Sequence, residues 1–233
     1  MAETVHRVTS PFSAISGALP LRALTGYEEE YIDQHRHDPN TARLCNEILA
    51  RCLVEPGNEP SDRARARIDN LLVAERDLEL IRLRSMSLGS AVISEVSCPS
   101  CGAANDVDFE LSSLSTEFQR PPECIEIRTS DGTMAVLRSM SAGDQAKLLD
   151  ASADTRAERR SWLLSMLLLE WNAESGPFDL HFVRALTSAD RAVLDKGLVQ
   201  AVTGLDLSMN VECSECGVSF DSPFDVGAFF LPS

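Results

Sequence analysis

The sequence has little positive charge for its length. Its 233 residues include 21 Lys and Arg against 36 Asp and Glu, which gives a formal net charge of -15. A protein that neutralises nucleic-acid phosphates needs a positive surface, so this composition disfavours that class. The Arg-rich segments 62–67 and 156–160 are each flanked by acidic residues, and we interpret both as solvated helix faces.

Residues that commonly carry catalysis are also scarce. The chain contains four histidines: His6, His35, His37 and His181. His35 and His37 diverge if they lie two residues apart on a helix, so we expect them at the surface. We interpret His181 as a core or boundary residue. No Gly-x-Ser-x-Gly turn, P-loop or dinucleotide-binding glycine loop is present, and the sequence therefore predicts no enzymatic activity.

Signals for export and for membrane insertion are missing as well. The first twelve residues lack a basic start followed by an apolar core. The most apolar run, 162–171, is too short to span a bilayer and contains Glu170. We expect a soluble protein that is made in the cytoplasm. Seven cysteines in such a chain favour reduced thiols and metal ligands over a disulfide framework.

The spacing of apolar residues alternates between the helix period and the strand period along the chain, which predicts an α+β fold. Residues 1–24 are predicted to form an N-terminal arm, and residues 25–90 a helical section. Residues 91–139 and 205–233 are predicted to form a small β domain of the zinc-ribbon type. A helical insertion over residues 140–204 separates its two parts.

Local signals predict where elements begin and end. Three hydroxyl residues are placed to cap helix N-termini: Thr25, Ser61 and Thr155. The helix that follows Thr155 is predicted to continue through the apolar run to about residue 173. Gly89 is a natural helix end, and Ser-Asp-Gly at 130–132 predicts the turn of a hairpin over 123–140.

Three cysteines are predicted to be structural. Cys45 and Cys52 fall on the apolar stripe of a predicted helix, where cysteine packs as a small apolar residue. Cys124 is a single cysteine in a predicted strand.

The remaining four cysteines form two turns of the same kind, Cys98-Pro-Ser-Cys101-Gly and Cys213-Ser-Glu-Cys216-Gly. Such a turn offers two sulfurs to one metal ion, and the following Gly lets the backbone turn beneath it. The flanking segments match almost position for position, as in the two halves of a zinc ribbon. We predict one structural Zn²⁺ per chain on these four ligands, because four thiolates close the coordination shell.

Alternatives to zinc remain open at this point. The two turns are farther apart than in the usual ribbon pattern, and they could be independent turns with free thiols. A redox pair is disfavoured, because reactive Cys-x-x-Cys pairs lie at helix N-termini and these lie between strands. Iron–sulfur clusters also use four thiolates, so ligand type does not separate iron from zinc.

The C-terminal segment ends in an apolar cluster of Phe229, Phe230 and Leu231. It either folds back as a last strand of the ribbon sheet or binds a partner protein.

Several motifs spread over residues 22–231 resemble those of one family. They are Leu24-Thr25-Gly26, the helix from Leu44 to Leu53, the segment 71–90, the two Cys-x-x-Cys-Gly turns, the Asp-Gly hairpin, Asp144-Gln145 and the final Phe-Phe. With these motifs, the chain resembles the T-even-type baseplate assembly proteins of contractile-tailed phages and related contractile injection systems. The resemblance implies a structural or assembly role without enzymatic activity, with other baseplate or tail proteins as partners and an assembled particle as the destination.

Two other functions compete with this one. A cytoplasmic zinc-ribbon adaptor could bind transcription machinery or nucleic acid, although the net charge of -15 argues against direct phosphate contacts. A hydrolase would need a second metal site, because four thiolates leave no open position.

Overall fold

Helices and short antiparallel strands follow one another in a computed structural model that describes residues 19–54, 60–110, 120–129, 131–151, 155–201 and 208–223. The α+β class is therefore confirmed. The four helices of the first section are α1 (Gly26–His35), α2 (Thr41–Cys52), α3 (Asp62–Asp69) and α4 (Val73–Leu88).

These helices enclose an apolar cluster that we call the helical core. Helix α2 begins at Asn40, whose Oδ1 accepts a hydrogen bond from the backbone N–H of Arg43 at 2.9 Å. The predicted stripe of α2 is buried, and the chain before α1 also adds Leu19 and Leu21. The large side chains that are fully buried in the helical core are Leu19, Ile48, Leu49, Ile68, Leu71, Leu80 and Leu83.

The predicted caps of three helices are confirmed. The Oγ of Ser61 accepts from the N–H of Ala64 at 3.0 Å, and Thr155 with Glu158 forms a capping box. Thr25 is the N-cap of α1, and its N–H and hydroxyl both donate to Glu28. Gly89 ends α4 with a φ of 86°, in the left-handed region that glycine adopts without strain.

The strands form three separate antiparallel sheets. Two of them are hairpins, β1 (Ala91–Ser97) with β2 (Ala104–Glu110) and β7 (Ser208–Glu212) with β8 (Ser219–Pro223). The third contains β3 (Cys124–Arg128), β4 (Met134–Arg138), β5 (Leu168–Trp171) and β6 (Glu174–Ser175), in that order. Four further helices are α5 (Ala142–Asp150), α6 (Arg156–Leu167), α7 (Leu180–Ala185) and α8 (Ser188–Ala201).

The four-stranded sheet packs with α6, α7 and α8 around a second apolar cluster, the sheet core. Leu137, Leu164, Leu167, Val183 and Leu194 are fully buried there. Helix α8 lies against β3 and β4 at Gly197, where an added Cβ would come within 2.0 Å of Ile127 Cδ1. The absence of a side chain at this residue therefore allows the close approach of helix and sheet.

Two expectations from the sequence need correction in this region. The helix that begins at Thr155 ends at Leu167, and Leu168–Trp171 forms a strand that pairs with β4. A continuous apolar run fits a buried helix or a buried strand equally well. The spacing of apolar residues therefore could not locate the switch from helix to strand. The hairpin β3–β4, which the sequence grouped with the cysteine strands, shares its sheet with strands of the predicted insertion.

A polar network joins the helical core to α5. The guanidinium of Arg76, only 5% exposed, donates to Asn46 Oδ1 at 3.1 Å and to Gln145 Oε1 at 2.7 Å, and it also pairs with Asp77. Buried charges are tolerated when they are paired and fully hydrogen-bonded in this way. An isolated β-bridge between Leu72 and Ser141 also connects the helical section to the start of α5.

Candidate metal centre

The first cysteine turn connects β1 to β2. The two strands pair from Ala91 opposite Glu110 to Ser97 opposite Ala104. At the turn, the N–H of Gly102 donates to the carbonyl of Cys98 at 2.9 Å, and the N–H of Cys98 donates to the carbonyl of Ala103 at 2.9 Å. Gly102 has a φ of 75°, so the backbone can reverse beneath the two sulfurs without a Cβ in a strained conformation.

The second cysteine turn repeats this arrangement between β7 and β8. The N–H of Gly217 donates to the carbonyl of Cys213 at 2.9 Å, and the N–H of Cys213 donates to the carbonyl of Val218 at 3.0 Å. Gly217 has a φ of 68°. The position-by-position similarity of the two sequences thus extends to the same backbone hydrogen bonds.

The two turns face each other, and all four sulfurs converge. Cys98 Sγ lies 3.7 Å from Cys216 Sγ, and Cys101 Sγ lies 3.6 Å from Cys213 Sγ. All four sulfurs lie within 4.8 Å of one another. In a tetrahedral site with metal–sulfur distances of about 2.3 Å, neighbouring sulfurs are ~3.8 Å apart, so the cluster has the size of a four-thiolate site.

The burial of the cysteines is also the same in both turns. The first cysteine of each turn, Cys98 or Cys213, is buried, whereas the second, Cys101 or Cys216, is exposed. None of the seven cysteines forms a disulfide. A metal held here would have one side inside the paired turns and the other near solvent.

Hydrogen bonds give the clustered thiols unequal acidity. The backbone N–H groups of Cys216 and Glu215 stabilise the thiolate of Cys213 and lower its pKa to about 6. The N–H of Ala103 also lowers the pKa of Cys101, but hydrogen bonds with Cys216 and Cys213 outweigh it and raise that pKa to about 12. Neighbouring thiolates repel one another, so a cation bound among them would favour ionisation of the whole set.

Asn105 on β2 connects the two turns, and the sequence did not single it out. It is only 5% exposed. Its Oδ1 accepts hydrogen bonds from the N–H of Ser214 at 2.9 Å and from the Ser214 hydroxyl at 3.1 Å. Its Nδ2 donates to the carbonyl of Ala103 at 3.0 Å, so one carboxamide ties the first turn to the second. A polar residue on a strand beside a cysteine turn is too common to reveal this role from sequence.

The donor set determines what the centre can do. Four thiolates suit zinc or iron and leave no position for a substrate or an activated water. Sites for the hard cations Mg²⁺ and Ca²⁺ consist of oxygen ligands, and this cluster of four sulfurs offers none. The arrangement therefore fits a metal that links two segments of chain.

The other candidate residues lie apart from this cluster. His37 is exposed, as predicted, and His35 is half-buried, with its ring stacked on Tyr31 at 4.0 Å. His181 is exposed, which corrects its interpretation as a core or boundary residue, because α7 turns this position away from the sheet core. Phe229, Phe230 and Leu231 lie outside the described residues.

The three remaining cysteines agree with their predicted structural role. Cys45 and Cys52 are buried in the helical core, and Cys124 is half-buried at the start of β3. Burial raises the pKa of Cys52 to about 12, and burial also raises the pKa of Cys124. Neither group is ionised near neutral pH.

None of the described helices is both long enough and apolar enough to cross a bilayer.

Comparison with known protein families relates nearly the whole chain to one of them. A family described as T4 bacteriophage base plate protein matches residues 11–231, nearly the whole chain. Neither the curated proteins nor the solved structures provide a match.

Proposed function

Because the chain belongs to the T4 bacteriophage base plate protein family, we propose that it is a non-enzymatic structural or assembly component of the baseplate of a phage tail or a related contractile injection system. The observation that carries this proposal is the length of the family match, which includes both cysteine turns and the segments between them. The expected partners are other baseplate or tail proteins.

The role of the four cysteines in this proposal is structural. Cys98, Cys101, Cys213 and Cys216 would hold one Zn²⁺, and the metal would fix the hairpin β1–β2 to the hairpin β7–β8. The sulfur separations of 3.6 and 3.7 Å support a shared tetrahedral ion. The metal would thus keep two distant parts of the chain in one shape for contact with neighbouring subunits.

The test of the baseplate role is a deletion in the producing host, followed by electron microscopy of the particles. We expect tails with absent or incomplete baseplates, and we expect the wild-type gene supplied in trans to restore them. Complete, infectious particles from the deletion strain would overturn the proposal. Salt-dependent binding of DNA or RNA by the purified full chain would instead favour the zinc-ribbon adaptor.

The test of the metal is elemental analysis of the purified chain together with its visible absorption. One zinc per chain and no visible bands would support a structural zinc. Iron together with thiolate charge-transfer bands would show that the metal is iron and not zinc. The proposed baseplate role would be unaffected. A stable protein that contains no metal would overturn the metal proposal.

A further inference from the structure

Residues 19–22, ahead of α1, lie in a groove of the helical core as a bound extended peptide would, and we call them the arm segment. Leu19 and Leu21 are only 1% and 7% exposed, and both belong to the helical core. Pro20, between them, is exposed, and Arg22 is half-buried. The burial alternates from one residue to the next, which is the pattern of a strand whose alternate side chains occupy pockets.

Main-chain hydrogen bonds hold the arm segment against the end of α2. The carbonyl of Pro20 accepts from the N–H of Val54 at 2.8 Å, and the N–H of Arg22 donates to the carbonyl of Cys52 at 2.9 Å. These two bonds flank an isolated antiparallel β-bridge between the same two segments. Bonds of this kind depend on the backbone of the bound segment, so the same segment of another molecule can form them equally well.

A charged pair on α4 holds the other end of the arm segment. Glu79 Oε1 accepts from the N–H of Leu19 at 3.2 Å, and Arg82 Nη2 donates to the carbonyl of Leu19 at 2.7 Å. Glu79 and Arg82 also pair with each other at 2.8 Å. Burial raises the pKa of Glu79, and the N–H of Leu19 offsets part of this effect. An empty groove would deprive the buried carboxylate of this donor, so the groove favours an occupied state.

The connection between the arm segment and the rest of the chain is short. Three residues, 23–25, join it to α1, and the last of them, Thr25, is exposed. A few residues at the end of an element are sufficient to absorb the change in backbone angles that redirects a segment. The chain thus contains a peptide-binding groove and the matching ligand on either side of a short connection, which is the arrangement that permits exchange of a segment between two copies.

From these observations we infer that this groove of the helical core binds the arm segment of a second copy of the chain, so that two protomers exchange arm segments. Exchange reproduces the contacts within one chain, including the bonds from Arg22 to both carboxylate oxygens of Glu28 at 2.8 and 2.9 Å. What it loses is the proximity of a tethered ligand, which corresponds to an effective concentration on the order of millimolar. Exchange therefore becomes favourable where copies are held close together. This inference goes beyond the baseplate role, and its test depends neither on that role nor on the metal.

The test uses two full-length variants that complement each other. L19S/L21S removes the apolar anchors of the arm segment and keeps the groove, whereas E79A/R82A weakens the groove and keeps the arm segment. Each variant alone should remain monomeric, because each lacks one half of the interaction. The equimolar mixture should form a heterodimer in which an intact arm segment occupies an intact groove. Analytical ultracentrifugation and native mass spectrometry, up to millimolar protein, measure the species present.

A fluorescent synthetic peptide with the sequence of residues 17–24 provides a second measurement. It should bind L19S/L21S saturably in fluorescence anisotropy. The wild type should bind it about tenfold or more weakly, because its own arm segment competes for the groove. The matched control L149S/V199S replaces two exposed apolar residues and should bind the peptide as the wild type does. A peptide with Ser in place of the leucines at positions 19 and 21 should bind none of these proteins.

Three results would overturn the inference. The first is the absence of a heterodimer from the mixture. The second is peptide binding without a heterodimer, which would assign the groove to a segment of another protein. The third is equal peptide binding by L19S/L21S and the wild type, which would place the peptide outside the groove. Unfolding curves establish that each double variant is folded, and the milder variant L21S takes the place of L19S/L21S in both measurements if the double variant is not.

Discussion

The helical core and the two cysteine hairpins are held together by different forces. Around α2 and α4, apolar side chains such as Leu49, Leu80 and Leu83 are completely buried. In the hairpins, the described buried residues apart from cysteine are Val92, Asn105 and Val211, and Val92 belongs to the helical core. Isolated two-stranded hairpins are at best marginally stable in water, so the cysteine hairpins need a further source of stability.

Two different sources of stability thus operate within one chain. The helical core gains its free energy from the removal of apolar surface from water, at roughly 25 cal/mol per Å². The described side chains of the cysteine hairpins bury little apolar surface, and the four converging sulfurs offer metal binding in its place. Perturbations that act on one mechanism should therefore leave the other region folded.

The largest effect should come from loss of the metal ligands. Zinc binding contributes about 10–16 kcal/mol in small zinc domains, so Cys213→Ser should release the metal and unfold the hairpins locally. We expect hydrogen exchange to become fast in β1, β2, β7 and β8 and to stay slow in α2 and α4. Mass spectrometry of exchanged peptides measures both regions in one experiment.

The matched control for this variant is Cys124→Ser, which changes a half-buried cysteine that lies outside the sulfur cluster. It should keep one metal per chain and normal protection of the hairpins. If Cys213→Ser retained the metal, or if α2 lost protection together with the hairpins, the two regions would not be independent.

The converse perturbation removes apolar volume from the helical core. Leu49 is 0% exposed, and Leu49→Ala should lower the free energy of unfolding by about 2–5 kcal/mol through lost burial and a residual cavity. Metal content should not change. Chemical denaturation followed by circular dichroism measures the loss, and Val54→Ala, at a residue that is 62% exposed, should have little effect. Loss of the metal in Leu49→Ala would contradict the separation of the two regions.

A buried carboxylate paired with a partly exposed arginine makes the helical core sensitive to acid. Glu28 is 0% exposed and accepts hydrogen bonds from Arg22 at 2.8 and 2.9 Å. Burial alone would raise the pKa of Glu28, but the hydrogen bonds from Arg22 and Thr25 outweigh it and lower that pKa from 4.5 to about 2. The shift corresponds to about 3 kcal/mol of stability, fully present above pH 4.5 and lost as the pH falls through 2.

The measurement is the free energy of unfolding between neutral and acid pH, for the wild type and for Glu28→Gln. The variant should be less stable at pH 7 and should lose less stability on acidification. Glu29→Gln, at the adjacent exposed position, serves as the control and should follow the wild-type curve. Identical acid curves for Glu28→Gln and the wild type would show that the pair does not contribute.

Local sequence signals predicted much of the helical core and the pairing of the two cysteine turns. In the helical core, apolar spacing and capping residues identified the buried stripe of α2 and the ends of the helices at Ser61 and Gly89. These signals are local, since each depends on residues within one or two turns. The convergence of the cysteine turns was also expected, because both turns share one uncommon pattern.

What the sequence missed depends on partners that are distant along the chain. Whether Leu168–Trp171 continues a helix or forms a strand is decided by its pairing with β4. The grouping of β3–β4 with β5 instead of with the cysteine hairpins is decided the same way. The role of Asn105 depends on Ser214, 109 residues away. No local pattern carries such information.

The smallest predicted effect tests how far the metal alone unites the hairpins. Asn105→Ala removes the acceptor of two hydrogen bonds from Ser214, whereas Asn210→Ala removes a 3.0 Å hydrogen bond to Asp221 within one hairpin. Loss of a group that orients metal ligands lowers metal affinity by about 10–100-fold, so we expect at least tenfold for Asn105→Ala, measured by competition with a chelator. Asn210→Ala should change it little, because its hydrogen bond does not cross between the turns. Equal affinities for the two variants would mean that the sulfurs position the turns without help from the carboxamide. Metal binding alone would then hold the two hairpins together, whereas apolar packing holds the helices.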